Sequence, residues 1–150
     1  MACSQHELVI QAPIEEVWAL FSDMNRWAPL ITGYKNHRIV NEQQSAWTFK
    51  GEVGKVKKTI HIKLFIKEWK KPHQIAFEFS NDKLKGNGHF KATNKQNETI
   101  ILTYLQIAGK GMLGPIINPI LKSLLPKTLK DLTEAIAKEV TKRQPVQATT

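Results

Sequence analysis

Residues 47–62 read Trp47-Thr48-Phe49-Lys50-Gly51-Glu52-Val53-Gly54-Lys55-Val56-Lys57-Lys58-Thr59-Ile60-His61-Ile62, and this stretch folds back on itself in one register. Gly54-Lys55 is a two-residue turn of the kind that closes a tight hairpin. Closing it pairs Val53 with Val56, Phe49 with Ile60 and Trp47 with Ile62 on one face. Glu52 then meets Lys57, and Thr48 meets His61, on the other. A slip of one residue would send one strand's apolar set to the opposite face, so register and facing are specified together.

Beyond the hairpin, the second strand continues with Ile60, Ile62, Leu64 and Ile66 inward and Lys57, His61, Lys63, Lys67 and Lys71 outward, a half-buried antiparallel pattern. Pro72 ends it. The next strands are 74–79, with Ile75, Phe77 and Phe79 inward, and 84–92, with Gly86, Gly88 and Phe90. The last, 99–107, has apolar residues on both faces, Ile100, Leu102 and Tyr104 against Ile101, Leu105 and Ile107, which predicts a central strand or one covered on both sides.

Before the hairpin, 7–11 reads as a strand, and Pro13 with Glu15 and Glu16 opens a helix over 14–21 whose residues Ile14, Val17, Trp18 and Phe21 share a face. Ser22 or Asp23 caps a short helix over 24–28, closed by Pro29. After the sheet, Asn118-Pro119 predicts the start of a long amphipathic helix to Lys142, kinked at Pro126.

The 150 residues, 41% hydrophobic and 23% charged, suit one domain over 1–143 with a patternless tail at 144–150. With one cysteine, Cys3, no internal disulfide can form, and Cys3 is expected in a frayed terminus of a protein from a reducing compartment. Neither a secretory pattern nor a run of about 20 apolar residues occurs, so the expectation is a soluble, cytoplasmic chain, with peripheral membrane contact open to it. The net charge is +9, but Arg26, Arg38 and Arg143 are the only arginines, which disfavours nucleic acid as the partner. An anionic membrane or an acidic partner uses diffuse lysine charge equally well.

Several motifs point further: Ala12-Pro13-Ile14-Glu15-Glu16-Val17-Trp18 with Phe21-Ser22-Asp23 and Trp27, then Gly33, Val53-Gly54-Lys55-Val56, and Ile107-Ala108-Gly109-Lys110-Gly111-Met112-Leu113-Gly114. Strand, two short helices, six strands and a long C-terminal helix make an α+β helix-grip fold, a seven-stranded curved antiparallel sheet around one helix. The chain thus resembles the START/Bet v 1-like (SRPBCC) superfamily, and within it is most similar to the CoxG family, whose namesake is an accessory protein of carbon monoxide dehydrogenase. It departs at Ile31-Thr32-Gly33, where that family usually carries Pro-Gly. The resemblance implies a hydrophobic cavity between sheet and helix, generally no catalytic motif, and, in the namesake, a role in attaching an enzyme to the membrane.

The expected ligand-binding set is Trp27, Trp47, Phe49, Ile60, Ile62, Leu64, Phe77, Phe79, Phe90, Leu102, Tyr104, Leu113, Ile117, Leu121 and Leu124. Such pockets are largely apolar with few polar groups. Gly109, Gly111 and Gly114 form a candidate gate that lets the helix shift. Their G-x-G-x-x-G spelling lacks the following parallel strand of a dinucleotide site, so no cofactor is expected. The histidines His6, His37, His61, His73 and His89 lack metal-ligand spacing, and no catalytic residue or metal is assigned. Lys57, Lys63, Lys67 and Lys71 are the candidate surface for a membrane or acidic partner. The expected function is non-enzymatic carriage of a hydrophobic small molecule or lipid. The alternatives are a polyketide cyclase/dehydratase-like enzyme and a CoxG-like adaptor that recruits another enzyme to the membrane.

Overall fold

Alternating apolar and polar residues build strands, and here they build seven. The structure, a computed structural model, describes residues 2–53 and 56–142. Strands β1 (Ala2–Ile10), β2 (Tyr34–Ile39), β3 (Gln44–Val53), β4 (Val56–Lys70), β5 (Gln74–Ser80), β6 (Leu84–Lys95) and β7 (Glu98–Gly109) form one antiparallel sheet in the order β1-β7-β6-β5-β4-β3-β2. Helices α1 (Ile14–Phe21) and α2 (Met24–Trp27) join β1 to β2, and α3 (Gly114–Lys142) follows β7. The hairpin register is the one the sequence predicts, with Val53 opposite Val56, Phe49 opposite Ile60 and Trp47 opposite Ile62. The expected turn residues Gly54 and Lys55, and the tail 144–150, lie outside the described residues.

The concave face of the sheet carries the core. Two glycines let aromatic rings lie across it. A Cβ on Gly86 would sit 2.4 Å from Cζ of Phe79 and from the Gln106 carbonyl oxygen, and one on Gly88 would sit 2.8 Å from Cζ of Phe77. The long helix packs on the other side of this face, chiefly against β1 and β7. Leu125, Leu129, Leu132, Ile136 and Val140 are buried there. Thr133 is buried among them and donates to the Leu129 carbonyl at 2.6 Å, which leaves its oxygen to accept from the Thr103 hydroxyl at 2.6 Å.

Four local expectations need correction. The strand expected at 7–11 begins at Ala2, because β1 pairs with β7 along its whole length, and Cys3 therefore lies exposed inside a strand opposite Gln106. Pro29 does not close α2 but sits inside a 3-10 turn, Ala28–Leu30, that prolongs it, while Asp23 is the cap, accepting from the Asn25 N–H. The long helix starts at Gly114, a turn and more before Pro119. Pro115 takes the early position where a missing N–H costs nothing, and Asn118, inside the helix, accepts instead from the Gly109 N–H at 2.9 Å. Finally β7 is central, as expected, but its outer residues Ile100, Leu102 and Tyr104 stay only half-buried, with no layer of helix over them.

Candidate functional site

At the end of the concave face near α1 and α2, aromatic rings close on one another. Trp27 lies 4.9 Å from Phe90, 5.4 Å from Trp47 and 5.9 Å from Phe77 between ring centroids, and Phe21 lies 5.3 Å from Phe90. All five are buried, with Leu64, Ile66 and Ile75 among them. The Trp47 indole N–H donates to the Ser45 hydroxyl at 2.7 Å, whereas the buried Trp27 Nε1 has no protein partner. This end is packed protein interior.

Along the same strands, toward the hairpin tip, burial falls. Phe49, Ile60, Ile62, Leu105 and Ile107 are only half-buried although their register puts them on the concave face, and Ile117 and Leu121 of α3 are half-buried too. Phe79, opposite Gly86, marks the boundary between the two ends. The expected ligand-binding residues thus divide. Trp27, Trp47, Leu64, Phe77 and Phe90 belong to the packed end, and Phe49, Ile60, Ile62, Ile117 and Leu121 to the half-open one. Leu124 is 55% exposed on the outside of α3, and the Leu113 side chain lies outside those described.

Leu102 and Tyr104, expected inward, lie on the convex face. Thr103, between them, reaches α3, and Tyr104 stacks on His89 outside with centroids 4.8 Å apart. The inward set of β7 is Ile101, Thr103, Leu105 and Ile107. Lys63 and Lys67 are exposed on the convex face and Lys71 is exposed in the turn after β4. Lys67 sits 3.5 Å from Glu78, and the Lys57 side chain is outside those described. Of the gate glycines, Gly109 and Gly114 touch closely: a Cβ on Gly109 would stand 3.2 Å from Gly114 Cα and from Ile117 Cβ. Gly111 has φ +56° and open space around it.

The sequence reading missed a polar chain at the rim. The Nε2–H of His37 donates to the Asn25 side-chain oxygen at 2.8 Å, so Nδ1 is left to accept from the Tyr34 hydroxyl at 2.6 Å. Residues three apart fall on opposite faces of a regular strand. Here an irregularity between Tyr34 and Asn36 sets Tyr34 opposite Phe49 and His37 opposite Trp47, both concave positions. Burial lowers the pKa of His37 against the opposing pull of Asp23, keeping the imidazole neutral and able to accept. No signal in the sequence marks such a bulge.

Two surface clefts lie elsewhere. One of about 430 Å³ runs between the α1–α2 corner and the start of β3, lined by Asp23, Met24, Ile39, Glu42 and Trp69. Another of about 530 Å³ lies on the convex face by Phe65, Lys67, Glu78 and Lys85. Among the described residues no group of three or more His, Cys, Asp or Glu stands together as a metal site.

A family model described only as "-like" matches residues 1–145. No curated protein sequence matches the chain. Among solved structures, a conserved protein from Geobacillus kaustophilus superposes with a TM-score of 0.77 at 16% identity, over 93% of this chain and 95% of that one. A START superfamily protein from Mycobacterium smegmatis gives 0.73 at 18% identity, over 95% and 99%. The Zhui aromatase/cyclase from Streptomyces sp. R1128 gives 0.69 at 12% identity, over 99% and 98%. At these identities the likenesses establish a shared fold.

Proposed function

The chain belongs to the helix-grip superfamily of START and Bet v 1-like proteins, and from that premise we propose that it binds a hydrophobic small molecule or lipid at the half-open end of the concave face. The observation that carries this reading is the fall in burial along one continuous apolar surface, from Trp27, Trp47 and Phe90 to Phe49, Ile60, Ile62 and Ile107. A ligand laid there beneath Ile117 and Leu121 removes apolar area from water, at about 25 cal/mol per Å². The Tyr34 hydroxyl, held by His37, supplies the polar handle at the rim. Gly109, Gly111 and Gly114 serve as the joint on which α3 shifts during exchange. The lysines Lys63, Lys67 and Lys71 add diffuse attraction to an anionic membrane or to an acidic partner enzyme in the cytoplasm, each worth about 1 kcal/mol near lipid.

One observation favours an enzyme as the second reading. Tyr34 and His37 are a hydrogen-bonded, titratable pair on the concave side, and an aromatase/cyclase shares the fold. The test is mass spectrometry of freshly purified protein under native and then denaturing conditions, followed by titration with an apolar fluorescent probe. A released apolar molecule, or probe binding weakened by Leu121→Trp, supports the binding reading. A bare chain that takes up no probe overturns it. Turnover of the bound molecule that Tyr34→Phe abolishes moves the assignment to the enzyme.

A further inference from the structure

We propose that the beginning of α3 is a membrane-docking element whose apolar ridge enters the interface of an anionic bilayer. Met112, just before the helix, and Ile116, Ile120 and Leu124 within it are 94%, 66%, 39% and 55% exposed. They stand four residues apart, so they form one stripe along the helix surface. Contiguous exposed side chains of this size are unusual on a protein that meets only water. The stripe does not belong to the core-facing side, because Leu125, Leu129 and Leu132 supply that side.

Charge selects the occupant. No acidic residue stands between Glu98 and Asp131, while Lys110, Lys122, Lys127 and Lys130 all lie in that interval and are exposed. The first acid, Asp131, pairs with Lys127 at 2.9 Å, one turn past the point where the ridge ends. The positive end of the α3 dipole points the same way as these lysines. A second copy of the chain seated on the ridge would bring lysine against lysine, which anionic headgroups would instead neutralise. No described helix is long and apolar enough to cross a membrane, so the element lies in the interface plane. This differs from the β4 lysines, which offer charge without apolar anchors.

The proposal does not rest on ligand binding, since vesicle attachment and ligand capture fail separately. The full chain is sedimented with phosphatidylcholine vesicles, with and without phosphatidylglycerol. Binding is expected to the anionic vesicles, weakened by salt, and reduced at least about tenfold by Ile116→Ser with Leu124→Ser. Both positions are exposed, and an unchanged melting temperature confirms the fold. Lys63→Gln with Lys67→Gln is expected to cost less. As a second readout, Met112→Cys in a Cys3→Ser background, labelled with an environment-sensitive dye, shifts to the blue on anionic vesicles alone. Equal binding by the ridge variant, a wild-type chain that stays in the supernatant, an unshifted dye, or a lipid-free dimer that the ridge variant dissolves would each overturn the proposal.

Discussion

The two halves of α3 use the same kinds of residue to opposite ends. From Leu125 to Val140, leucine, isoleucine and valine disappear into the core against β1 and β7. From Gly114 to Leu124, equally apolar residues stay at the surface or half-covered. The second half anchors the helix; the first overlies that part of the concave face where Phe49, Ile60 and Ile62 are themselves incompletely buried. Composition does not separate the halves. What separates them is how much sheet surface each meets, and the consequence is that stability and binding reside in different parts of one element.

This contrast can be broken most directly by truncating one isoleucine in each half. Ile136→Ala is expected to cost about 2–5 kcal/mol in urea unfolding and Ile116→Ala less than about 0.5 kcal/mol. Similar costs would mean that the first half is also packed. The threonines repeat the comparison on a smaller scale. Thr133→Val deprives the buried Thr103 hydroxyl of its acceptor and is expected to cost about 1–3 kcal/mol. Thr128→Val loses only a bond back to the Leu124 carbonyl and is expected to stay within about 0.5 kcal/mol. Leu121→Trp, at a half-buried position, should lower apolar-probe affinity several-fold while leaving the urea midpoint in place; a lower midpoint with unchanged probe affinity would assign Leu121 to the core.

The smallest effect is in pH. His37, lowered by burial against Asp23, and His89, lowered by burial and Lys91 against Glu68, have folded pKa values below the ordinary 6.5. Just below 6.5 the unfolded chain therefore binds more protons than the folded one, and stability rises with pH. The contribution is complete above the unfolded value and is lost as pH falls through the folded values. The urea midpoint should drop modestly between about pH 7.5 and about pH 5.5, and His37→Gln with His89→Gln should flatten the slope. A wild-type profile already flat over that window would remove both histidines from the account.

Much of the sheet was legible because local rules agreed with one another. In the β3–β4 hairpin the Gly54-Lys55 turn and the alternation of Trp47, Phe49, Ile60 and Ile62 specify the same register, and the structure has it. The inward lysine-free faces of β4 and β5 followed from the same period of two. Where two local answers were equally good, the reading went wrong. Pro115 and Pro119 both suit the first turn of a helix, and the end of β7, through Gly109 and Asn118, decides between them. Both faces of β7 are apolar, and only the seat of α3 on Thr103 tells which is inside.

The α+β class, the order of elements, the pairing of the central hairpin and the apolar character of the concave face can all be read from the residues, because each is written in short-range periodicity and turn chemistry. Which apolar residues are core and which remain uncovered is settled in three dimensions alone. So are the joining of Tyr34 and His37 across a bulge and the placing of the α3 ridge outside. Burial is a property of what arrives from elsewhere in the chain: Ile116 and Ile136 are the same residue type in the same helix, and the sheet reaches only one of them.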